Sequence, residues 1–267
     1  MLSPLYGQLS PLRVPTKAGR SAVSDADAEA YLLAVEAADL QPIEDAVAVA
    51  IDNFVVGCKS DGIWSALKAS CILAGARTLS GALVPLAGTA PTNANFVAGD
   101  YDRKTGLKGD GTNKSLNSNR NNNADPQNSK HISAYVTQTS SVTTTRYYMG
   151  AASGSGSSSL LVNSSTVIRY FINSGTGVNQ STNAVGLIGG SRNNSTNFTV
   201  RGNGLSGTFS GNSQSLLNDN IRVFTNAGGS GFSNGRIAFY SIGEAIDLAL
   251  LDSRVSNLMT DLSTAIA

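Results

Sequence analysis

Gly235-Arg236-Ile237-Ala238-Phe239-Tyr240-Ser241-Ile242-Gly243-Glu244 is the stretch on which the fold turns. Successive side chains of an extended strand point to opposite faces, so Ile237, Phe239 and Ser241 are expected on one face and Ala238, Tyr240 and Ile242 on the other. Upstream of it, from about Asn93, the chain is Ser, Asn, Gly and Thr throughout, with short apolar alternations between turn clusters such as Asn173-Ser174-Gly175 and Ala227-Gly228-Gly229-Ser230-Gly231. Strands are expected at Lys130 to Gln138, Thr143 to Met149, Ser158 to Asn163, Val167 to Asn173, Ala184 to Gly189, Asn197 to Gly202, Ser206 to Ser210 and Ile221 to Asn226. A shorter one is expected at Asn95 to Ala98, with Asn119 to Asn123 a polar loop. Short strands at roughly 8–15-residue spacing, each bounded by Gly, Asn or Ser, read as a sandwich or jelly roll. No period repeats, which excludes a solenoid or propeller.

The flanks read differently. Residues 24–91 carry helical spacing. A first helix is expected from Ser24 with Ala28, Tyr31, Leu32 and Val35 on its inner face, and a second after Pro42 with Ile43, Val47, Ala50, Ile51 and Phe54. A third, short helix is expected to hold Ile63, Trp64 and Leu67, and a weaker one to lie around Thr78 to Leu83. Residues 245–267 form a last helix capped by Asp247. Its Leu248, Leu251, Val255, Leu258 and Leu262 step by three and four, a seam that serves either to pack on the rest of the chain or to form a short bundle between subunits. Residues 1–23 hold Leu2, Leu5, Tyr6, Leu9 and Leu12 among three prolines, Pro4, Pro11 and Pro15. Proline forbids a continuous helix there. An apolar extended arm has no core of its own, so it is either a solvated tail or an anchoring arm that docks on another subunit or protein. The expected class is thus mainly β with helical ends: arm 1–23, helical region 24–91, sandwich 92–244 and C-terminal helix 245–267.

Composition narrows the function classes. Charged residues are 14% of the chain and the net charge is +1, against the clustered basic face that nucleic acid requires. The chain has no apolar run near the ~20 residues of a membrane-spanning helix, and its first residues lack the basic and apolar regions of a signal peptide. Two cysteines, Cys58 and Cys71, are too few for a disulfide framework and read as buried thiols.

A glycosidase needs two carboxylates flanking the bond. The glutamates are Glu29, Glu36, Glu44 and Glu244, none inside the β run before its last turn. Of the aspartates there, Asp100 and Asp102 share a face if their segment is extended. With Asp110 they offer clustered hard oxygens for a calcium-like cation, or they solvate a loop. No other cofactor is expected. His131 is the only histidine and has no nucleophile motif near it. What remains is surface chemistry: Asn-, Ser- and Thr-rich loops match the hydroxyl-rich surface of a glycan, with Tyr147, Tyr148 and Tyr170 as candidate stacking faces.

Several segments resemble a known family. Ile51-Asp52-Asn53-Phe54-Val55-Val56-Gly57, Gly62-Ile63-Trp64, Gly106-Leu107-Lys108-Gly109-Asp110-Gly111-Thr112-Asn113-Lys114 and the stretch Gly235 to Glu244 are similar to tailed-bacteriophage structural proteins with a concanavalin A-like (laminin-G-like) sandwich. The resemblance spans roughly residues 45 to 260. It implies a virion protein displayed on the particle surface, a tail fibre or tip adhesin or else a capsid decoration or head fibre. Other virion proteins and host surface glycan are its implied partners, and its implied assembly is a homo-oligomer, by analogy a trimer. The glucanases of that superfamily carry a Glu-x-Asp-x-x-Glu strand. This chain has none, so a polysaccharide depolymerase is not expected. No binding residue is carried over.

Overall fold

The computed structural model describes residues 23–141, 144–151, 156–164, 167–181 and 185–267; the arm with Leu2, Leu5, Tyr6, Leu9 and Leu12 lies outside them. Two helices come first, α1 (Ala26–Asp39) and α2 (Asp45–Ser60), followed by strand β1 (Leu67–Ile72) and a single helical turn, α3 (Leu79–Ala82). Next come β2 (Thr92–Ala94), β3 (Tyr101–Asp102), β4 (Gly106–Lys108), β5 (Ser115–Asn121), β6 (Lys130–Gln138), β7 (Arg146–Gly150), β8 (Ser158–Ser164) and β9 (Val167–Ile172). β10 (Val178–Ser181), β11 (Gly186–Arg192), β12 (Asn197–Gly202), β13 (Leu205–Ser210), β14 (Asn220–Val223) and β15 (Arg236–Gly243) lead to the closing helix α4 (Leu248–Ala265).

The strands build two antiparallel sheets. One has the order β13-β12-β11-β6-β15-β4-β3, with β1 pairing on β15 from Leu67↔Gly243 to Ile72↔Phe239. The other has the order β10-β9-β8-β7-β14-β5-β2. Their facing sides make one core, where Ile132, Ala134 and Val136 of β6 meet Leu160 and Val162 of β8 and Val223 of β14.

A second core lies outside the first sheet. Leu32 of α1, Phe54 of α2, and Leu251 and Val255 of α4 pack there on Leu187 and Phe239. Phe54 meets Phe239 edge to face at 5.8 Å between ring centroids. The molecule is therefore three layers deep: helices, a sheet buried on both faces, and a sheet that none of the described helices covers. We call these the covered sheet and the open sheet.

The helical layer is latched by buried carboxylates. Asp52 of α2 accepts from the backbone N–H groups of Ser24 and Asp25, at 3.0 and 2.9 Å, and from the Ser24 hydroxyl. Asp25, rather than Ser24, then caps α1 by accepting from Asp27 and Ala28. Asp39 at the end of α1 holds Arg77 N, Thr78 N and Thr78 Oγ1, and so fixes the turn into α3.

Four expectations are corrected. β15 does not alternate throughout. Ala238 and Phe239 both face the helices, whereas Ile237, Tyr240 and Ile242 face the other sheet. The register against β6 shifts between Ile237 and Phe239, and such a bulge turns two successive side chains to one face. Leu67 does not belong to a helix; only Trp64–Ala66 makes a 3₁₀ turn, and β1 carries the chain from the helical region into the covered sheet. The strand expected at Asn95 to Ala98 lies earlier, as β2, and Asn119 to Asn121 belongs to β5 rather than to a loop. Asp247 caps α4 as expected.

Candidate functional site

The residues singled out from the sequence part company here. Tyr148 and Tyr170 are 0% exposed and belong to the core between the sheets. Tyr148 accepts a hydrogen bond from Ser140 N at 2.8 Å, and burial pushes its hydroxyl up to about 12. Neither ring offers a stacking face, because on their strands the positions they occupy turn inward. Tyr147 is different. It is half-buried and projects outward from the open sheet.

The three aspartates do not converge. Asp100 is held by Lys114 Nζ at 2.6 and 2.7 Å and caps Val97 N. Asp102 closes a local turn by accepting from Lys104 N, Thr105 N and Thr105 Oγ1; the Thr105 hydroxyl is the main reason its carboxyl lies below the usual value. Burial pushes the Asp110 carboxyl up, but the backbone N–H groups of Thr112, Asn113 and Lys114 outweigh it and hold it low. Among the described residues no three acidic, histidine or cysteine side chains gather as metal ligands. Each carboxylate is engaged separately, Asp100 by the Lys114 ammonium and Asp102 and Asp110 by donors of their own turns. The seam of α4 takes the first of its two readings and packs on the rest of the chain: Leu248, Leu251, Val255, Leu258 and Leu262 are all buried in the chain's own second core.

The outer face of the open sheet can be built strand by strand. Leu160 and Val162 of β8 turn inward, which leaves Ser159 and Leu161 outward. β9 presents Val167, Arg169 and Phe171 in the same way. Register then sets the rows. One row is Asn179, Arg169, Leu161 and Tyr147, across β10, β9, β8 and β7. The next is Phe171, Ser159, Gly150, Arg222 and Asn117, across β9, β8, β7, β14 and β5.

Gly150 is buried beneath its neighbours on this face. A Cβ built there would lie 3.0 Å from Ser159 Cβ, 3.2 Å from the Tyr147 ring and 3.4 Å from Asn226 Cβ. The Tyr147 ring thus packs over Gly150, where only a glycine leaves it room. Its backbone is fixed from the far side, where Tyr147 N donates to Gly231 O at 2.8 Å. Arg146 bonds the carbonyls of Gly111 and Phe232 and ties two neighbouring loops to the same strand. At the margin, the Arg169 guanidinium stacks over Phe171 at 4.8 Å.

Besides a groove of about 300 Å³ between α2 and α4 that includes Phe54 and Arg254, two concave regions lie elsewhere among the described residues. A cleft of about 520 Å³ at one end of the sandwich is lined by Lys108, Asp110, Gln138, Ser140, Ser141 and Asn234. Asn234 accepts from Ser140 Oγ and Ser141 N, so its amide is used to tie the loops together. A groove of about 460 Å³ beside the start of α4 includes Ser191, Thr199, Ser206 and Asp247. Neither contains an aromatic side chain.

Sequence reasoning found Tyr147 but missed Gly150 and Arg222. The segment Asn220-Ile221-Arg222-Val223 carries the signal: two buried aliphatics alternate with an outward arginine.

No protein-family model matches this chain, and no curated protein matches it. Among solved structures, the receptor-binding domain of a botulinum neurotoxin C/D mosaic serotype is similar with a TM-score of 0.48 at 10% identity, over 72% of this chain and 51% of that one. The binding domain of botulinum neurotoxin serotype D gives 0.46 at 10% identity, over 72% and 50%. Trypanosoma rangeli sialidase in complex with sialic acid gives 0.46 at 12% identity, over 76% and 33%. The chain spans about half of these neurotoxin chains and a third of the sialidase. At this depth the likeness is one of fold and says nothing of what this chain binds.

Proposed function

We propose that this chain is a glycan-binding sandwich that meets saccharide on its open sheet, around Tyr147, and acts without hydrolysing it. The observation that carries the proposal is the asymmetry of the two outer faces. One is sealed by helices, whereas the other leaves the partly exposed Tyr147 ring, with the partly exposed Asn117 and Arg222 in the adjoining row. Saccharide recognition combines an apolar ring face for the sugar's C–H groups with amide and hydroxyl partners for its hydroxyls. Hydrolysis calls for two carboxylates free to flank a bond. Asp100, Asp102 and Asp110 are each engaged by local donors, which favours binding over catalysis.

Placement on a tailed-bacteriophage particle is part of the same proposal. It rests on the resemblance of residues 51–57, 62–64, 106–114 and 235–244 to virion structural proteins. With the α4 seam buried, attachment to other virion proteins or to further copies falls to the N-terminal arm. A density map of an intact particle tests this placement, and absence of the chain from the particle overturns it.

Binding is tested on an array of neutral and acidic glycans, followed by titration of the best ligand. Tyr147→Ala is expected to weaken binding by about tenfold or more, the size of a lost aromatic contact of ~1.5 kcal/mol. Tyr148→Phe, which changes only a buried hydroxyl, is expected to leave affinity within about twofold of wild type. A folded Tyr147→Ala protein that binds like wild type would overturn the assignment, as would a wild-type protein that binds no glycan.

A further inference from the structure

Arg222 is unlike every other described arginine. Arg254 pairs with Asp61, Arg201 with Asp252 and Arg120 with Asp125. Arg77 and Arg103 both reach Glu44. Arg146, Arg192 and Arg236 bond backbone carbonyls, and Arg169 stacks on Phe171. Among the described residues Arg222 has no hydrogen-bond, ion-pair or ring partner. It is not at a frayed edge either. β14 lies between β7 and β5, and Ile221 and Val223 on either side of Arg222 are 0% exposed in the inter-sheet core. The strand therefore fixes the direction of Arg222, outward on the open face, while no described residue bonds its guanidinium.

Its surroundings are also specific. Its Cα partner on β7 is Gly150, over which the Tyr147 ring packs, and its partner on β5 is the partly exposed Asn117. A guanidinium with no described partner thus stands in the row next to the partly exposed Tyr147 ring. The planar fork of a guanidinium matches a carboxylate with two parallel N–H···O bonds, and such charge-assisted pairs are stronger than neutral ones.

We infer that the open face selects acidic saccharides, with Arg222 taking the sugar carboxylate while Tyr147 packs against the sugar ring. This rests on the reading of the open sheet as a glycan-binding face and adds the charge class of the ligand. The occupant follows from charge complementarity: the two rows hold two guanidiniums, Arg222 with no described partner and Arg169 stacked on Phe171, and no carboxylate.

The test uses the full chain and matched pairs of probes, sialyllactose against lactose and trigalacturonate against galactotriose, titrated by calorimetry. Wild type is expected to bind the carboxylate-bearing member of at least one pair about tenfold tighter or more, and to lose that margin as salt is raised. Arg222→Gln is expected to abolish the preference while neutral binding stays within about twofold. Tyr147→Ala is expected to weaken both members of a pair. Equal affinity for acidic and neutral members, or a preference that survives Arg222→Gln, overturns this inference and leaves the glycan-binding reading standing. Failure to bind either member of both pairs, together with a blank neutral array, overturns the glycan-binding reading and this inference with it.

Discussion

Tyr147 and Tyr148 are neighbours in sequence and opposites in role. Strand alternation requires that one of them face out, yet nothing in Arg146-Tyr147-Tyr148-Met149 says which. The bulge between Tyr147 and Met149 on β7 hides the answer further, since Tyr148 and Met149 both turn inward. The site was half legible for this reason: residue type marked the tyrosines, but facing is decided by register. Arg222 was legible in principle, because a charged residue between two buried aliphatics must point away from the core.

His131 shows a different use of a buried polar group. Its ring is 0% exposed beneath the β15–α4 turn, with Nδ1 placed to donate to Glu244 O at 2.5 Å and Nε2 to accept from Ser241 Oγ at 2.9 Å. Ser241 in turn meets Ser133 Oγ at 2.7 Å. Burial pushes the imidazole down to about 4. In the unfolded chain it titrates near ~6.5. Below that pH the unfolded state takes a proton that the folded state refuses, so stability from this group is whole above pH ~6.5 and is lost on acidification towards pH 4, by about 3 kcal/mol. His131→Gln is expected to be less stable than wild type at pH 7, with the gap narrowing as pH falls from 6.5 to 4. Urea denaturation across that range checks it, and a gap that stays constant would show that the ring is not excluded from protonation.

At the scale of elements, the strands that the sequence showed were those with one face polar and one apolar. β6 and β12 lie where the alternation placed them, at Lys130–Gln138 and Asn197–Gly202. β5 was hidden because Ser115–Asn121 is almost entirely polar, its buried positions being Ser115, Leu116 and Ser118. β1 was hidden for the opposite reason. Leu67–Ile72 is buried along most of its length, and a short apolar run buried on both faces has no period to distinguish it from helix.

The helix α4 was legible as a helix but not as to its partner, since a three-four seam looks the same whether it packs on its own chain or on another. Burial in the second core decides it, helped by Arg254, whose guanidinium pairs with Asp61 and crosses α2 at Gly57, where an added Cβ would lie 2.7 Å from Arg254 Nη1. Leu251→Ala is expected to destabilise the monomer fold by about 3 kcal/mol, within the usual range for a buried leucine, and to leave the oligomeric state unchanged. A lowered denaturation midpoint with an unaltered sedimentation coefficient would meet this expectation. Dissociation of an oligomer without loss of fold would contradict it.

For the molecule as a whole, the three layers divide the labour. Helices at both ends of the chain converge on one face of the sandwich, and the open sheet, farthest from them, is covered by none of the described helices. A chain anchored at its helical side would present that sheet outward, which is the arrangement a surface-displayed binding protein needs. The most direct test of the account is a two-dimensional NMR titration of the full chain with a saccharide that it binds, read by backbone amide shifts. The account predicts that the largest changes fall on Tyr147, Gly150, Ser159 and Arg222, with α4 and the cleft around Asp110 and Asn234 undisturbed. Changes confined to that cleft or to the groove beside α4, with the open sheet silent, would contradict it.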